Sequence, residues 1–176
     1  MITRNFKNIL ETMLARTSGA YGALPIKGTT GSTGYTNPGA NTTPFPYSVG
    51  TTSLALSATG TGIVVGSGNT PATEDDFMLD NLITSGLSGS TVVTKQIDNG
   101  KLYLVLDVTL TNTSANDITI KEIGYVQSHQ YVTSQGGTVL ANNFPFLMER
   151  TVLISPVTIP AGEFATIRYK MGYSVD

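Results

Sequence analysis

Between Lys101 and Leu110 an apolar residue stands at every second position: Leu102, Leu104, Leu106, Val108 and Leu110. Side chains alternate along an extended backbone, so all of these reach one face of a strand. The opposite face holds Lys101, Tyr103, Asp107, Thr109 and Thr111, with Val105 as its only aliphatic residue. Such a segment belongs at a boundary between core and water. The run Asn112 to Asp117 (NTSAND) then turns the chain, because Asn, Asp and Ser bond to nearby backbone and compete with a ladder. Ile118 and Ile120 resume the alternation, which predicts an antiparallel pair. The parity then slips, since Ile123 and Tyr125 fall on odd positions. A β-bulge at Lys121-Glu122 would return both sets to one face.

The flanking sequence extends the same architecture. Thr91 to Ile97 predicts a strand that enters Lys101 through a tight turn at Asp98-Asn99-Gly100. Thr52 to Ser57 and Gly62 to Gly66 read as short strands between glycine-rich turns. Gln127 to Asn143 is polar, with Gly136-Gly137 at a turn, and reads as a long hairpin end or loop. Phe146 to Ile154 is a further strand. Pro156 and Pro160 place Val157 to Ile159 at an edge or a crossing between sheets, since proline cannot donate to a ladder. In the last strand Ala165, Ile167, Tyr169, Met171 and Tyr173 face inward, and Phe164, Thr166, Arg168 and Lys170 face out. The expected fold is all-β: an antiparallel β-sandwich, jelly-roll-like, of about seven or eight strands. Its core is expected to centre on Leu102, Leu104, Leu106, Val108, Leu110, Ile118, Ile120, Ile123, Ile167 and Tyr169.

Thr3 to Arg16 is the exception. Phe6, Ile9, Leu10, Met13 and Leu14 make one apolar stripe at helical spacing, with Thr3 or Asn5 to cap its start and Gly19 its end. The stripe has to pack on something, either one end of its own sandwich or a neighbouring subunit. Lys27 to Gly50 follows, rich in Gly, Thr, Asn and Pro, and reads as an extended arm or long surface loop held by Tyr35, Phe45 and Tyr47. Residues 1–50 are thus expected as a helix and arm, and 51–176 as the sandwich domain. If the arm docks on other subunits, its anchors are Phe6, Leu10, Met13, Tyr35 and Phe45.

Little in the chain points to chemistry. A net charge of -2 does not supply the basic face that nucleic acid requires. With Cys 0 there is no thiolate nucleophile or thiolate metal site. No apolar run approaches the roughly 20 residues of a membrane span. Lys7, Asn8 and Glu11 interrupt what a signal peptide would need, so export by such a signal is not expected. Glu74, Asp75 and Asp76 after Thr73 are expected to open a short helix, where acidic residues favour the helix dipole. The calcium reading of these residues with Asp80 lacks EF-hand spacing. His129 is expected in a polar loop without triad partners. Gly60-Thr61-Gly62 and Gly66-Ser67-Gly68 lack the following Lys-Ser/Thr of a phosphate loop. Asp107 and Glu122 would be a glycosidase pair only at the right separation, which sequence does not give. With no Trp, a sugar-stacking platform would have to be built from Tyr. No catalytic residue, cofactor or metal is expected.

Three pieces together resemble small structural proteins of tailed-bacteriophage virions: GIVVGSGNTPATEDDFML at Gly62 to Leu79, ITIKEIGYV at Ile118 to Val126, and LMERTVLISPVTIPAGEFATIRYKM at Leu147 to Met171. The likeness lies in an EIG strand, an R-x-V-L strand and a Pro-Ala-Gly-Glu turn before a final Tyr-bearing strand. It spans the last two thirds of the chain and leaves out the helix and arm. The resemblance implies a non-enzymatic role in particle assembly and carries over no functional residues. A capsid-decorating or cement protein is favoured over a tail, collar or fibre component. Its expected partners are other virion proteins and further copies of itself, with no nucleic acid or membrane, in a virion assembled in the host cytoplasm. The competing expectation is a carbohydrate-binding or adhesive module that uses the Thr/Asn/Tyr-rich loops.

Overall fold

The computed structural model describes residues 1–14, 25–36, 51–53, 62–98, 101–132 and 139–173. Among them one helix, α1 (Arg4–Leu14), precedes nine strands: β1 (Pro25–Lys27), β2 (Thr33–Thr36), β3 (Thr51–Ser53), β4 (Gly62–Gly66), β5 (Leu87–Asp98), β6 (Lys101–Asn112), β7 (Ile118–Val132), β8 (Val139–Ile159) and β9 (Phe164–Tyr173). They form two antiparallel sheets. The larger runs β1-β2-β7-β4 with β8 along β7, and the smaller runs β3-β5-β6-β9.

The β5–β6 ladder is unbroken from Leu87↔Asn112 to Asp98↔Lys101. A tight turn at Asn99-Gly100 requires that register, although these two residues lie outside those described. Leu106, Val108 and Leu110 of β6 are buried in one cluster with Ile63 and Val65 of β4, Ile120, Ile123 and Tyr125 of β7, Phe146 and Met148 of β8, and Tyr169 of β9. Both sheets contribute to this cluster, so they pack face to face in a sandwich-like arrangement. Ile118 and Ile167 are partly buried against it. The side chains of Leu102 and Leu104 lie outside the described residues. Leu106 is fully buried, so Leu106→Ala should cost about 2–5 kcal/mol in a urea titration; a loss below about 0.5 kcal/mol would mean the inward face is misassigned.

The bulge falls where the parity slip put it. Pairing of β7 with β8 shifts between Ile120 and Glu122, and Ile120, Ile123 and Tyr125 all reach the core. Val157 to Ile159 pairs with β7 at the outer edge of the larger sheet, as the two prolines require. Val105 departs from expectation: although on the outer face of β6, it is buried. Lys170 stands directly opposite it in the ladder and places its ammonium 3.7 Å from the Tyr103 ring centroid on the same face. His129, expected in a loop, is in β7 opposite Phe144.

The N-terminal region belongs to the same body. Thr3 caps α1, its hydroxyl accepting the Phe6 N–H at 3.4 Å while donating to the Leu147 carbonyl at 2.6 Å. Asn5 is no cap. Its side chain donates to the Lys27 carbonyl (2.7 Å) and accepts the Lys27 N–H (2.8 Å), acting as a substitute strand for β1. Part of the segment expected as an arm is a hairpin, β1–β2, paired to β7 through Tyr35↔Val132 and Thr36↔Tyr131. Its turn is fastened to β8 by the Thr29 N–H donating to the Pro145 carbonyl at 3.1 Å.

Candidate functional site

Past the bulge, Glu122, Gly124 and Val126 of β7 point away from the main core. The outer face of the larger sheet is covered there by the segment from Ser67 to Ile83. Leu79 packs with Val64, Val126 and Leu147, and Leu82 lies against them. Gly124 makes room for this cover: a Cβ there would sit 2.9 Å from Leu147 Cδ1 and 3.0 Å from both Leu79 Cδ2 and Val64 Cγ2.

Beside this small cluster lies a buried ionic group. The Glu122 side chain is 0% exposed and that of Arg150 only 3%. Glu122 Oε1 accepts the N–H groups of Gly68 (3.1 Å) and Asn81 (2.9 Å). Its Oε2 accepts the Asp80 N–H (3.1 Å) and Arg150 Nε (2.8 Å). The guanidinium also donates to Asp76 Oδ2 (2.8 Å) and to the Thr70 carbonyl (3.0 Å). Every lone-pair direction of the Glu122 carboxylate is occupied, so no position is left for a substrate or an attacking water. Chemically, the group is a clamp. It satisfies three backbone amides of a segment that has no ladder of its own and pins that segment to β7 and β8.

The two neighbouring glycines follow from this geometry. A Cβ on Gly68 would lie 2.6 Å from Glu122 Oε1, and one on Gly66 would collide with that same oxygen and come within 2.7 Å of the Asn81 carbonyl. Gly66→Ala is expected to lose about 1–3 kcal/mol by overpacking, measured as a lowered urea midpoint; an unchanged midpoint would show that the clamp yields.

The acidic run at Glu74 to Asp76 opens a turn, not the expected helix. The Asp76 carboxylate accepts the N–H and hydroxyl of Thr73, each at 2.9 Å, and its own N–H donates to the Thr73 carbonyl. The three acids are each paired: Glu74 with Lys7 (2.9 Å), Asp75 with Arg4 (3.0 Å) and Asp76 with Arg150. These pairs attach the segment to α1 as well as to the sheet. Burial pushes the Asp76 carboxyl up, but the bonds from Arg150 and Thr73 outweigh it, and its pKa is lowered. A lowered carboxylate pKa contributes stability that is complete above the unfolded value, about 4. It is lost as pH falls through the folded value. Unfolding titrations should therefore show the stability gap between wild type and Asp76→Asn closing on acidification below about pH 4. A constant gap would contradict the linkage.

Of the anticipated anchors, Phe6 is 4% exposed in the core of its own chain and Leu10 packs against that core. Met13 is on α1 and Tyr35 on β2, their side chains outside the described residues, as is all of Phe45. Asp107 and Glu122 do not form a pair: Asp107 lies on the smaller sheet, held by both nitrogens of an Arg168 fork at 2.6 and 3.1 Å, while Glu122 is under the cover of the larger one. The ionic clamp itself was missed. What signal there was lay in a Glu and an Arg within strands rich in apolar residues, ITIKEIGYV and FLMERTVLI, but Lys121 and Glu149 beside them read equally as charges of a solvated face. No protein-family model, curated protein or solved structure matches this chain.

Proposed function

We propose that the chain is a non-enzymatic structural component of a tailed-bacteriophage virion, in the first place a capsid-decorating or cement protein. One observation carries this reading. The three sequence pieces that resemble virion proteins supply one member each to the buried clamp: Asp76, Glu122 and Arg150. Motifs that look independent along the chain are thus parts of a single device that fixes a loop on a sheet. A jelly-roll path and a location in the virion, reached by assembly in the host cytoplasm, belong to the same proposal. Contact with other virion proteins is assigned to the N-terminal helix and arm together with the sandwich surface, with Phe6 and Ile9 used in the chain's own core and so not part of that contact.

The glycan-binding alternative has some support in the hydroxyl-rich outer face of the smaller sheet, where Thr109 and Thr166 stand 3.5 Å apart. Against it, one face of the Tyr103 ring is covered by Lys170, which removes a stacking surface. Cryo-electron microscopy of particles from a phage encoding this chain tests the proposal. Symmetric copies on the head are expected, copies confined to tail or collar would move the role there, and absence from purified particles would overturn it.

A further inference from the structure

The segment from Ser67 to Ile83 joins the rest of the chain through a narrow neck. Ser67 donates its N–H to the Asn81 carbonyl and Ile83 donates its own to the Val65 carbonyl, each at 2.9 Å, with a bridge between Gly66 and Leu82. Ends that meet in this way make a compact surface loop able to move about its own base. Among the described residues the main core takes from it only Ile83, at the neck. The apolar hold on the rest is smaller: Leu79 and Leu82 on Val64, Val126 and Leu147, with Phe77 beneath the Lys27 ammonium at 3.6 Å. The main core can therefore stay whole without it.

Beyond the neck, what fastens the segment is ionic. Glu74 meets Lys7 and Asp75 meets Arg4 on α1, Asp76 meets Arg150 on β8, and Glu122 on β7 receives the Gly68 and Asp80 N–H groups beside Arg150. Asp80 accepts the Thr70 hydroxyl within the segment at 2.8 Å, and Glu149 lies 3.9 Å from the N-terminal ammonium. Two bonds bypass the carboxylates, from the Arg4 N–H to the Glu74 carbonyl and from Arg150 to the Thr70 carbonyl, and each starts from a member of an ion pair. The Lys7 ammonium holds the Glu74 carboxyl below its usual value. Burial pushes the Asp76 carboxyl up, yet the bonds from Arg150 and Thr73 bring it below as well. Their hold is complete above the unfolded carboxylate values, about 4, and fades as pH falls through the folded ones.

We infer that the Ser67 to Ile83 segment is an acid-released cover: as its carboxylate fastenings are protonated it lifts from the larger sheet about its neck, while the two sheets stay packed. Lifting bares Val64, Gly124, Val126 and Leu147 as an apolar strip on the outer face of that sheet. Local opening then comes before global unfolding, as in a cooperative unit less stable than the body that carries it. The inference does not depend on the virion assignment.

Amide hydrogen exchange of the full chain, followed residue by residue by NMR and corrected for intrinsic rates, tests this. The N–H groups of Gly68 and Asp80 should lose about tenfold or more of their protection between about pH 5 and pH 3. Those of Leu106 and Leu110, on β6 between β5 and β9, should keep most of theirs. In a double variant, Glu74→Gln with Asp76→Asn, Gly68 and Asp80 should already be less protected at neutral pH, and the acid step should shrink. Protection lost no faster at Gly68 and Asp80 than at Leu106 and Leu110 would overturn the inference. So would protection kept at all four down to about pH 3, or an acid step of full size in the double variant.

Discussion

Replacing Glu122 by Ala is expected to destabilise the fold by about 3–5 kcal/mol, because it leaves the buried Arg150 guanidinium without its carboxylate. A buried ion pair can often be exchanged for apolar residues at little cost, but that escape is closed here. Glu122 also satisfies the N–H groups of Gly68, Asp80 and Asn81, which no hydrocarbon could accept. Glu122→Gln should be damaging too. Its amide nitrogen would point donors at donors, either at Gly68 and Asn81 or at Asp80 and Arg150. Urea unfolding followed by circular dichroism measures the loss. A cost below about 1 kcal/mol for Glu122→Ala would show that water or relaxation replaces the carboxylate.

Phe6→Ala should cost the isolated chain about 3–5 kcal/mol, the range for deleting a buried aromatic ring. The ring sits among the residues of the main core and is almost wholly covered. A helix that served only to grip a neighbour would behave differently: the isolated protein would melt unchanged and lose only its assembly. Thermal melting of the variant, with no partner present, separates the two. An unaltered melting temperature would return α1 to the role of a docking arm.

The alternation of Leu106, Val108 and Leu110 was legible because period-2 burial is a local property, written in consecutive residues. The bulge was legible for the same reason: Ile118 and Ile120 disagree in parity with Ile123 and Tyr125, and only an extra residue reconciles them. The burial of Val105 was not, since its parity assigns it to the outer face and period alone carries no sign of what covers it. The β1–β2 hairpin was hidden by its turn, whose Gly28 to Ser32 has the composition of any loop. Glu74 to Asp76 after Thr73 read as a helix start because a cap followed by acids is a local signal, while the Arg150 that holds Asp76 in a turn stands 74 positions away. The clamp was out of reach because its donors and acceptors lie 28, 54 and 74 positions apart, and sequence alone carries no distances.

Those long separations also bear on time. Bringing such distant groups together carries a loop-closure cost that local pairs avoid. The clamp can form only once β7 and β8 are paired and the Ser67 to Ile83 segment has settled over them. It therefore belongs to the late, downhill side of folding, where an interaction slows escape from the native state without hastening arrival. In rate measurements Glu122→Gln should raise the unfolding rate and leave refolding nearly unaltered; slowed refolding would instead put the clamp in the nucleus. On this view the buried charges set how long each molecule stays closed, a lifetime that is governed by the unfolding barrier and is separate from the equilibrium stability.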